Sequence, residues 1–240
     1  MDDSHPPKPK RRWHQFRLRT LLLLVLLVSV GMSWFTVKLH RARRQRAAVE
    51  GILKSGGRVM YDYNYEEDGT PILDVDPPGP AWLQKMLGVD FFGDVETVLL
   101  TSDAGIEHLG ALRSLEMADL DGPEVTDDTI KRLTAVGRFR RLRLFRTGVG
   151  DAGLAHVGEL TSLESVEIYY AGITDDGLEH LEGLPRLKFL CLEWTCVTDA
   201  GLEHLKELTN LRELWLGGTH VTPEGVKKLQ QALPNCEVSD

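Results

Sequence analysis

The sequence predicts an α/β solenoid in which short parallel strands form a concave sheet and helices cover the convex side. Apolar residues recur with a period of 24 residues, as at Leu154, Leu178 and Leu202, over about residues 95–238. Each copy also carries the L-x-x-L-x-L spacing of a short strand with alternating buried positions. One copy cannot bury its own leucines, but stacked copies share a continuous core.

The three most regular copies begin at Asp151, Asp175 and Asp199. Thr174 and Asp175, like Thr198 and Asp199, are candidate caps for the helices that follow, because their oxygens can accept a free backbone N–H. The equivalent apolar positions are predicted to form the core: Leu154, Leu178, Leu202; Leu160, Leu184, Leu208; Leu163, Leu187, Leu211; Val166, Leu190, Leu214; Ile168, Leu192, Leu216.

Four regions are expected along the chain. Residues 1–20 are polar, basic and proline-containing, and we expect a disordered tail. Residues 21–37 carry no charge and would span about 26 Å as a helix, close to the ~30 Å hydrocarbon core of a bilayer. We predict an uncleaved transmembrane helix there. A cleaved signal peptide is the alternative, because Ser29 and Gly31 are small and suitably spaced, although the apolar run continues beyond them.

Residues 38–94 are predicted to cap the open end of the solenoid, which occupies residues 95–240. A juxtamembrane helix continues to Lys54 and is ended by two glycines. An alternating segment at 58–65, a turn at 67–70 and an apolar segment at 72–75 predict a β-hairpin. A short helix follows at 81–87. Together these elements would cover the first repeat, whose core would otherwise be exposed.

Charge is divided unequally along the chain. Residues 1–46 hold eleven Lys/Arg and two Asp, a net charge of +9, whereas residues 47–240 hold seventeen Lys/Arg and 34 Asp/Glu, a net charge of −17. The basic end suits anionic lipid headgroups, and the acidic body argues against nucleic acid as a partner. Basic residues flank both ends of the apolar run. The short basic N-terminus favours the cytoplasmic side, which would place the solenoid outside the cytoplasm.

Strand alternation places a set of aromatic and arginine side chains on the concave face. Trp, Tyr and Arg dominate the energetics of protein interfaces, so this set is the candidate protein-binding site. The alternative is that the rings only pack across neighbouring strands, and that Arg143 joins a charge ladder between Asp119 and Glu167. The candidate residues are Arg141, Arg143, Phe145, Arg146, Tyr169, Tyr170, Phe189, Trp194 and Trp215.

Catalytic, cofactor and metal sites find little support in the sequence. We see no phosphate-binding glycine loop and no hydrolase motif, and we predict no catalytic residue, no cofactor and no metal. Cys191 on the concave face is the one candidate nucleophile, without a histidine in the adjacent columns to activate it. Four histidines recur at one repeat position, which repeat inheritance explains better than metal binding: His108, His156, His180 and His204.

The repeats resemble leucine-rich repeats. The L-x-x-L-x-L spacing is followed by V/I-T-D-x-G-L at Val197–Leu202 and Ile173–Leu178, which is similar to the repeats of F-box leucine-rich proteins. The Asn/Cys position of the general motif is not kept, since Thr195 and Thr219 lie near it, and no F-box precedes the array. The layout looks like that of bacterial single-pass membrane proteins of undefined role. The resemblance implies a binding scaffold rather than an enzyme.

We therefore expect a membrane-anchored scaffold that binds a protein or peptide through its concave face and contacts the bilayer through residues 21–37. A structural envelope protein that self-associates through the solenoid or the span is the alternative. An enzyme is the third and least supported class. The sequence predicts neither the oligomeric state nor the identity of the partner.

Overall fold

The computed structural model describes residues 18–65, 72 and 75–239, and the chain divides into two compact units, Met1–Arg41 and Ala42–Asp240. The described part of the first unit is helical and belongs to α1 (Leu18–Lys54). Apart from the half-buried Phe35, its large apolar side chains between Leu21 and Val37 are exposed, from 48% at Val37 to 69% at Leu27. Among the described residues, one helix is long and apolar enough to cross a membrane.

The second unit is built on one sheet whose eight strands follow chain order. The first two strands are antiparallel and all later neighbours are parallel, with a repeat of 24 residues from the third strand onward. The strands are β1 (Arg58–Tyr61), β2 (Val95–Leu100), β3 (Met117–Asp121), β4 (Arg141–Phe145), β5 (Ser165–Tyr169), β6 (Phe189–Cys191), β7 (Glu213–Trp215) and β8 (Glu237–Ser239).

Helices precede and separate these strands. Short 3-10 helices lie at Glu179–Leu181 and Gly201–Glu207, where helices were expected, because segments of one or two turns often adopt the tighter i→i+3 bonding. The α-helices after α1 are α2 (Ala81–Leu87), α3 (Ile106–Leu109), α4 (Asp127–Thr134), α5 (Asp151–Gly158), α6 (Asp175–Leu178) and α7 (Pro223–Ala232).

The core runs the length of the array and confirms the predicted register. Each of the fifteen aligned apolar residues predicted above is buried, with no side chain more than 3% exposed. They belong to a single cluster that extends from Ala48 to Cys236. Because each strand contributes to the same cluster, every repeat buries its leucines against its neighbours.

The C-terminal part of α1 closes the first end of the core. Ala42, Ala48, Val49 and Ile52 are buried at helical spacing, so one face of the helix packs on the sheet. The buried Gln45 amide donates to Asp90 Oδ1 at 3.2 Å and to the Gly93 carbonyl at 2.9 Å. These contacts fix the helix to the segment that leads into β2.

The predicted hairpin is only partly covered by the described residues. The strand β1 ends at Tyr61, where a 3-10 helix (Asp62–Asn64) interrupts the expected alternation. Its described partner is β2, joined by antiparallel pairs such as Val59 with Val98. Residues 66–71 and 73–74, which include the turn and most of the second hairpin strand, lie outside the described residues. The predicted tail at 1–20 also lies outside them except for residues 18–20.

The D-x-G segment of each copy ties one repeat to the next. The Asp175 carboxylate accepts the Thr198 backbone N–H at 2.8 Å and the Thr198 hydroxyl at 2.6 Å. Asp151 accepts the same two bonds from Thr174. The prediction that Thr174 caps its own helix is therefore wrong, because its hydroxyl donates to the preceding repeat. A Cβ at Gly201 would collide with the Asp175 carboxylate, so glycine provides the space.

Candidate functional site

The sheet face turned away from the convex helices, called the concave face here, carries the predicted columns of side chains. In the first column, Met117 pairs with Arg141, Arg141 with Ser165, and Ser165 with Phe189. In the second, Asp119, Arg143, Glu167, Cys191 and Trp215 follow one another across successive strands. This pairing confirms the predicted order of these two columns.

One position at the end of the strands has a left-handed backbone in five consecutive repeats. Glycine occupies it in the first and last of these repeats, but arginine, tyrosine and tryptophan occupy it in the three between. We call this set the left-handed row: Gly122 (φ 109°), Arg146 (φ 51°), Tyr170 (φ 53°), Trp194 (φ 57°) and Gly218 (φ 72°). A left-handed conformation costs a residue with a Cβ roughly 1–2 kcal/mol. The three middle members therefore hold local strain.

The side chains of the left-handed row pack into a continuous series. The rings of Tyr170 and Trp194 stack with centroids 5.5 Å apart and planes at 9°. Phe145 meets Tyr170 edge to face at 5.8 Å, and the Arg146 guanidinium lies 4.6 Å from the Phe145 centroid. The indole of Trp194 covers Gly218, where a Cβ would lie 2.7 Å from the ring. Even so, Tyr170 remains 49% exposed and Trp194 56% exposed.

Charges on the N-terminal half of the concave face are mostly paired. Arg143 donates to Asp119 Oδ2 at 3.2 Å, and Arg146 lies 3.7 Å from Asp121 Oδ2. Burial raises the pKa of Asp119 above its ordinary value, while Arg143 opposes that shift. Asp119, Asp121 and Arg143 line a depression of about 390 Å³ together with Arg58. The predicted ladder around Arg143 thus forms toward Asp119, and among the described residues Glu167 accepts instead from the Tyr169 hydroxyl at 3.4 Å.

The C-terminal half combines aromatic rings with acidic groups. Phe189 and Trp215 meet edge to face with centroids 5.1 Å apart. Glu193 follows β6 and Glu213 opens β7, and within the described parts of the chain neither forms an ion pair. This half of the concave face therefore presents aromatic rings beside carboxylates with no described cationic partner.

A match to a family model agrees with this geometry. The model described as Leucine Rich repeat matches residues 207–229, one repeat of the array. The spacing of the buried leucines, the parallel sheet and the convex helices extend the same pattern through the second unit. The fold is a leucine-rich repeat solenoid.

Three solved structures share some likeness with this leucine-rich repeat chain. A leucine-rich repeat protein of Leptospira interrogans is 17% identical with a TM-score of 0.38, over 55% of this chain and 39% of that one. An internalin of Listeria monocytogenes is 17% identical with a TM-score of 0.35, over 55% and 49%. The Mex67:Mtr2 subunits of Chaetomium are 16% identical with a TM-score of 0.33, over 48% of this chain and 70% of that one. The chain spans less than half of the first two, and no curated protein matches it.

The thiols of the leucine-rich repeats differ from expectation in their exposure. Cys191 is fully buried although its column faces the concave side. Burial raises the pKa of its thiol above the ordinary value, so it is protonated at neutral pH. Cys236 is also buried and Cys196 is exposed, and all three are free. Cys191 is therefore poorly suited to act as a nucleophile.

The recurring histidines lie against carboxylates. His156 Nδ1 is 3.0 Å from Glu159 Oε1, and His204 Nδ1 is 2.8 Å from Glu182 Oε1. Among the residues that the structure describes, no group of three or more potential metal ligands occurs. The imidazole of His108 packs where a side chain on Gly51 would lie. The contacts of these histidines are thus local or structural.

The structure brings together some of the predicted site residues and separates others. Phe145, Arg146, Tyr169, Tyr170 and Trp194 form one connected group. Phe189 and Trp215 form a second contact pair, and Arg141 is half-buried in the first column.

Sequence reasoning missed one further participant, Gly218, which receives the indole of Trp194. The sequence did contain a signal for it, because Gly218 occupies the same repeat position as the bulky residues Arg146, Tyr170 and Trp194.

Proposed function

We propose that this chain is a membrane-anchored leucine-rich repeat scaffold that binds a protein or peptide through its concave face. The observation that carries the proposal is the left-handed row. Gly122 and Gly218 show that the fold accepts glycine at this position, yet Arg146, Tyr170 and Trp194 hold large exposed side chains there. Strained, exposed aromatic residues on a rigid sheet are typical of binding sites.

Packing within the row is comparable in size with this strain. An aromatic pair contributes about 0.5–1.5 kcal/mol beyond the area it buries, and Tyr170 has two such neighbours. The Tyr170 side chain is nevertheless 49% exposed and that of Trp194 is 56% exposed. Internal stiffening would be served as well by rings that are buried. The exposed edges therefore favour a partner that completes their burial.

The charge distribution favours a partner of one polarity. Arg143 and Arg146 are already close to Asp119 and Asp121. The neighbouring Glu193 and Glu213 stand beside Trp194 and Trp215 without a described cation. A basic side chain placed there would gain both a carboxylate and an aromatic face, and cations near rings are stabilised by about 0.5–2 kcal/mol. We therefore expect the partner to present Lys or Arg toward β6 and β7.

Membrane anchoring rests on the apolar segment of α1. Its leucines and valines from Leu21 to Val37 are exposed, and a run of exposed leucines and valines is unfavourable in water. A bilayer would bury them along a helix of suitable length. The excess of Lys/Arg before residue 47 suits the anionic headgroups at its margins.

The test compares the wild-type chain with Tyr170→Gly/Trp194→Gly, cross-linked in native membranes. Glycine satisfies the left-handed backbone, as at Gly122 and Gly218, so the variant keeps the fold while the two rings are removed. We expect a protein captured by the wild type to be absent from the variant. Lys227→Ala/Gln230→Ala, which changes exposed residues of α7, serves as the matched control and retains the partner.

Two outcomes would contradict the proposal. Identical captured proteins for the wild type and the glycine variant would place binding outside the concave face. Capture of other copies of this chain alone would support the self-associating structural protein instead. Thermal melting of each variant distinguishes lost binding from lost structure.

A further inference from the structure

A second exposed surface lies on α2 of the N-terminal cap. In α2, Trp82 is 66% exposed and Met86 is 65% exposed, and both lie on one stripe of the helix with the exposed Lys85. The opposite side of the helix carries Leu83 and Leu87, which are half-buried. The helix therefore has apolar side chains on both sides, and the largest of them, Trp82 and Met86, are on the exposed side.

Hydrogen bonds within residues 77–88 join α2 to the turn that precedes it. The Gln84 amide donates to the Pro77 carbonyl at 2.6 Å and to the Gly79 carbonyl at 3.0 Å. The helix ends at Gly88, whose N–H donates to the Gln84 carbonyl at 2.8 Å. These bonds fasten the preceding proline-rich turn to the helix.

Basic side chains of α1 lie beside the end of α2. A Cβ built on Gly88 would lie 3.6 Å from Arg46 Nη1, which places this guanidinium next to the last turn of α2. Arg43 is exposed one helical turn before Arg46, on the same side of α1. Glu50 is the acidic neighbour, 3.2 Å from Arg46 Nε. We name Arg43, Arg46, Trp82, Lys85 and Met86 the basic–apolar patch.

We infer that the basic–apolar patch docks on an anionic lipid surface. Trp is the residue that favours the boundary between headgroups and hydrocarbon, and Lys and Arg favour anionic headgroups. Arg43, Arg46 and Lys85 give the patch three positive charges, and the exposed Glu50 is the carboxylate paired with Arg46, so the patch matches such a surface in charge. The inference rests on the proposed membrane anchor, because only four residues separate Val37, the end of the apolar run, from Ala42, the first residue of the second unit.

Docking of the patch has a consequence for the scaffold. A second contact through α2 holds the cap against the surface and fixes the direction in which the sheet extends. The concave face is then presented to partners in a defined orientation, which lowers the rotational freedom lost on binding.

The test places an environment-sensitive fluorophore at single cysteines of the full chain in nanodiscs that contain anionic lipids and doxyl-labelled lipids. The background carries Cys196→Ser, which removes the exposed thiol; Cys191 and Cys236 are buried. Val28→Cys reports on the apolar run, Met86→Cys on the patch, and Gln230→Cys on the exposed far end of the solenoid. We expect lipid quenching at positions 28 and 86 and none at 230.

The three positions separate the possible results. Quenching at 28 without quenching at 86 leaves the membrane anchor in place and overturns the docking inference. Absence of quenching at 28 overturns the anchor itself. A blue-shifted emission at 86 that depends on protein concentration and not on doxyl lipid would assign the patch to a second copy of the chain, and would also overturn the inference.

A charge variant tests the lipid class. Each basic residue near an anionic surface strengthens its attraction about fivefold. Arg43→Glu/Lys85→Glu should therefore abolish quenching at 86 and leave quenching at 28 unchanged. Replacing the anionic lipid with a zwitterionic lipid should have the same effect on the unmodified patch. Undiminished quenching at 86 in both experiments would contradict recognition of anionic headgroups.

Discussion

At the scale of the residue, the aspartate that opens a copy binds the backbone of the copy that follows it. Asp127 accepts the Gly150 N–H at 2.8 Å, and Asp199 accepts both the N–H and the hydroxyl of Thr222 at 2.7 Å. These bonds hold the pKa of Asp199 below its ordinary value, since they stabilise the ionised form. Each carboxylate also leaves no room for a Cβ in the next copy, where glycine stands at Gly153, Gly177, Gly201 and Gly225.

The first prediction compares two adjacent aspartates. Asp175→Ala removes the acceptor of the Thr198 N–H and hydroxyl and should lower the free energy of unfolding by about 1.5–3 kcal/mol. Asp176→Ala changes an exposed side chain and should alter it by less than about 0.5 kcal/mol. Urea denaturation measures both. Equal effects would show that the inter-repeat bonds contribute little.

The second prediction concerns the strain in the left-handed row. Arg146→Gly relieves about 1–2 kcal/mol of backbone strain and adds a similar entropy cost, so the free energy of unfolding should stay within about 1 kcal/mol of the wild type. Arg146→Val places a β-branched residue at φ 51° and should lower it by more than about 1 kcal/mol. Denaturant titration of the pair checks this order. A valine variant as stable as the glycine variant would remove the argument from strain.

The residue scale is also where sequence reasoning was least complete. The alignment of repeats predicts which side chains share a column, and the strand pairs confirm those columns. It does not predict backbone dihedrals, so the strain at Tyr170 and Trp194 was not foreseen. It also treated Thr174 as a cap of its own helix, because local capping rules do not include an acceptor 23 residues earlier.

At the scale of the element, a charge ladder crosses the starts of the strands. Glu164, immediately before β5, accepts from Arg140 Nε at 2.9 Å and from Lys188 Nζ at 2.7 Å. Glu116 lies 3.8 Å from Arg140 on the other side. The sequence interpretation placed a ladder at Arg143, three residues further along the same strand segment. The alternating charges at Glu116, Arg140, Glu164 and Lys188 are 24 residues apart and were available as a signal.

The third prediction follows from the pKa of Glu164, which bonds from Lys188 and Arg140 lower from 4.5 to about 2. A lowered pKa means that the native state favours the ionised form. Its stabilisation is present above pH 4.5 and is lost as the pH falls toward 2. Glu164→Gln should therefore show a smaller loss of unfolding free energy between these values than the wild type, as measured by urea titration at several pH values.

The control for this pH dependence is Glu207→Gln, which changes an exposed glutamate without a described ion pair. This variant should follow the wild-type curve. If Glu164→Gln follows it as well, the ladder has no measurable role in acid sensitivity. Lys188→Met removes one donor to Glu164. Its free energy of unfolding should match that of Glu164→Gln only in the acidic range.

At the scale of the whole molecule, the second unit is a stack in which each repeat contacts its neighbours. Length, charge division and the 24-residue period were enough to predict this architecture, because a repeated apolar pattern leaves few ways to bury the leucines. The partner was not predictable in the same way. The core does not determine Arg146, Tyr170 and Trp194, because the fold accepts glycine at the same position in other repeats.

In a stack of this kind, we expect a destabilising substitution to affect mainly the repeat that contains it and its neighbours. Leu229 is fully buried in α7 of the last repeat, and Leu133 is fully buried in α4 near the first repeats. Each change to alanine should cost about 2–5 kcal/mol locally. Leu229→Ala should accelerate amide exchange at Leu233, Cys236 and Glu237, whose N–H groups bond within the last repeat or to its neighbour. Amides of β3 and β4 should remain protected.

Leu133→Ala provides the contrast, because repeats lie on both sides of α4. Exchange should rise in both of its neighbours, including the Arg140 amide that bonds to Glu116 and the Gly148 amide that bonds to Val125. Hydrogen exchange followed by mass spectrometry resolves the two patterns. A uniform rise in amide exchange across the array in both variants would mean that the repeats unfold as one cooperative body. The coupling free energy between neighbouring repeats would then exceed the cost of a buried cavity, and a change at either end would affect the full length of the solenoid.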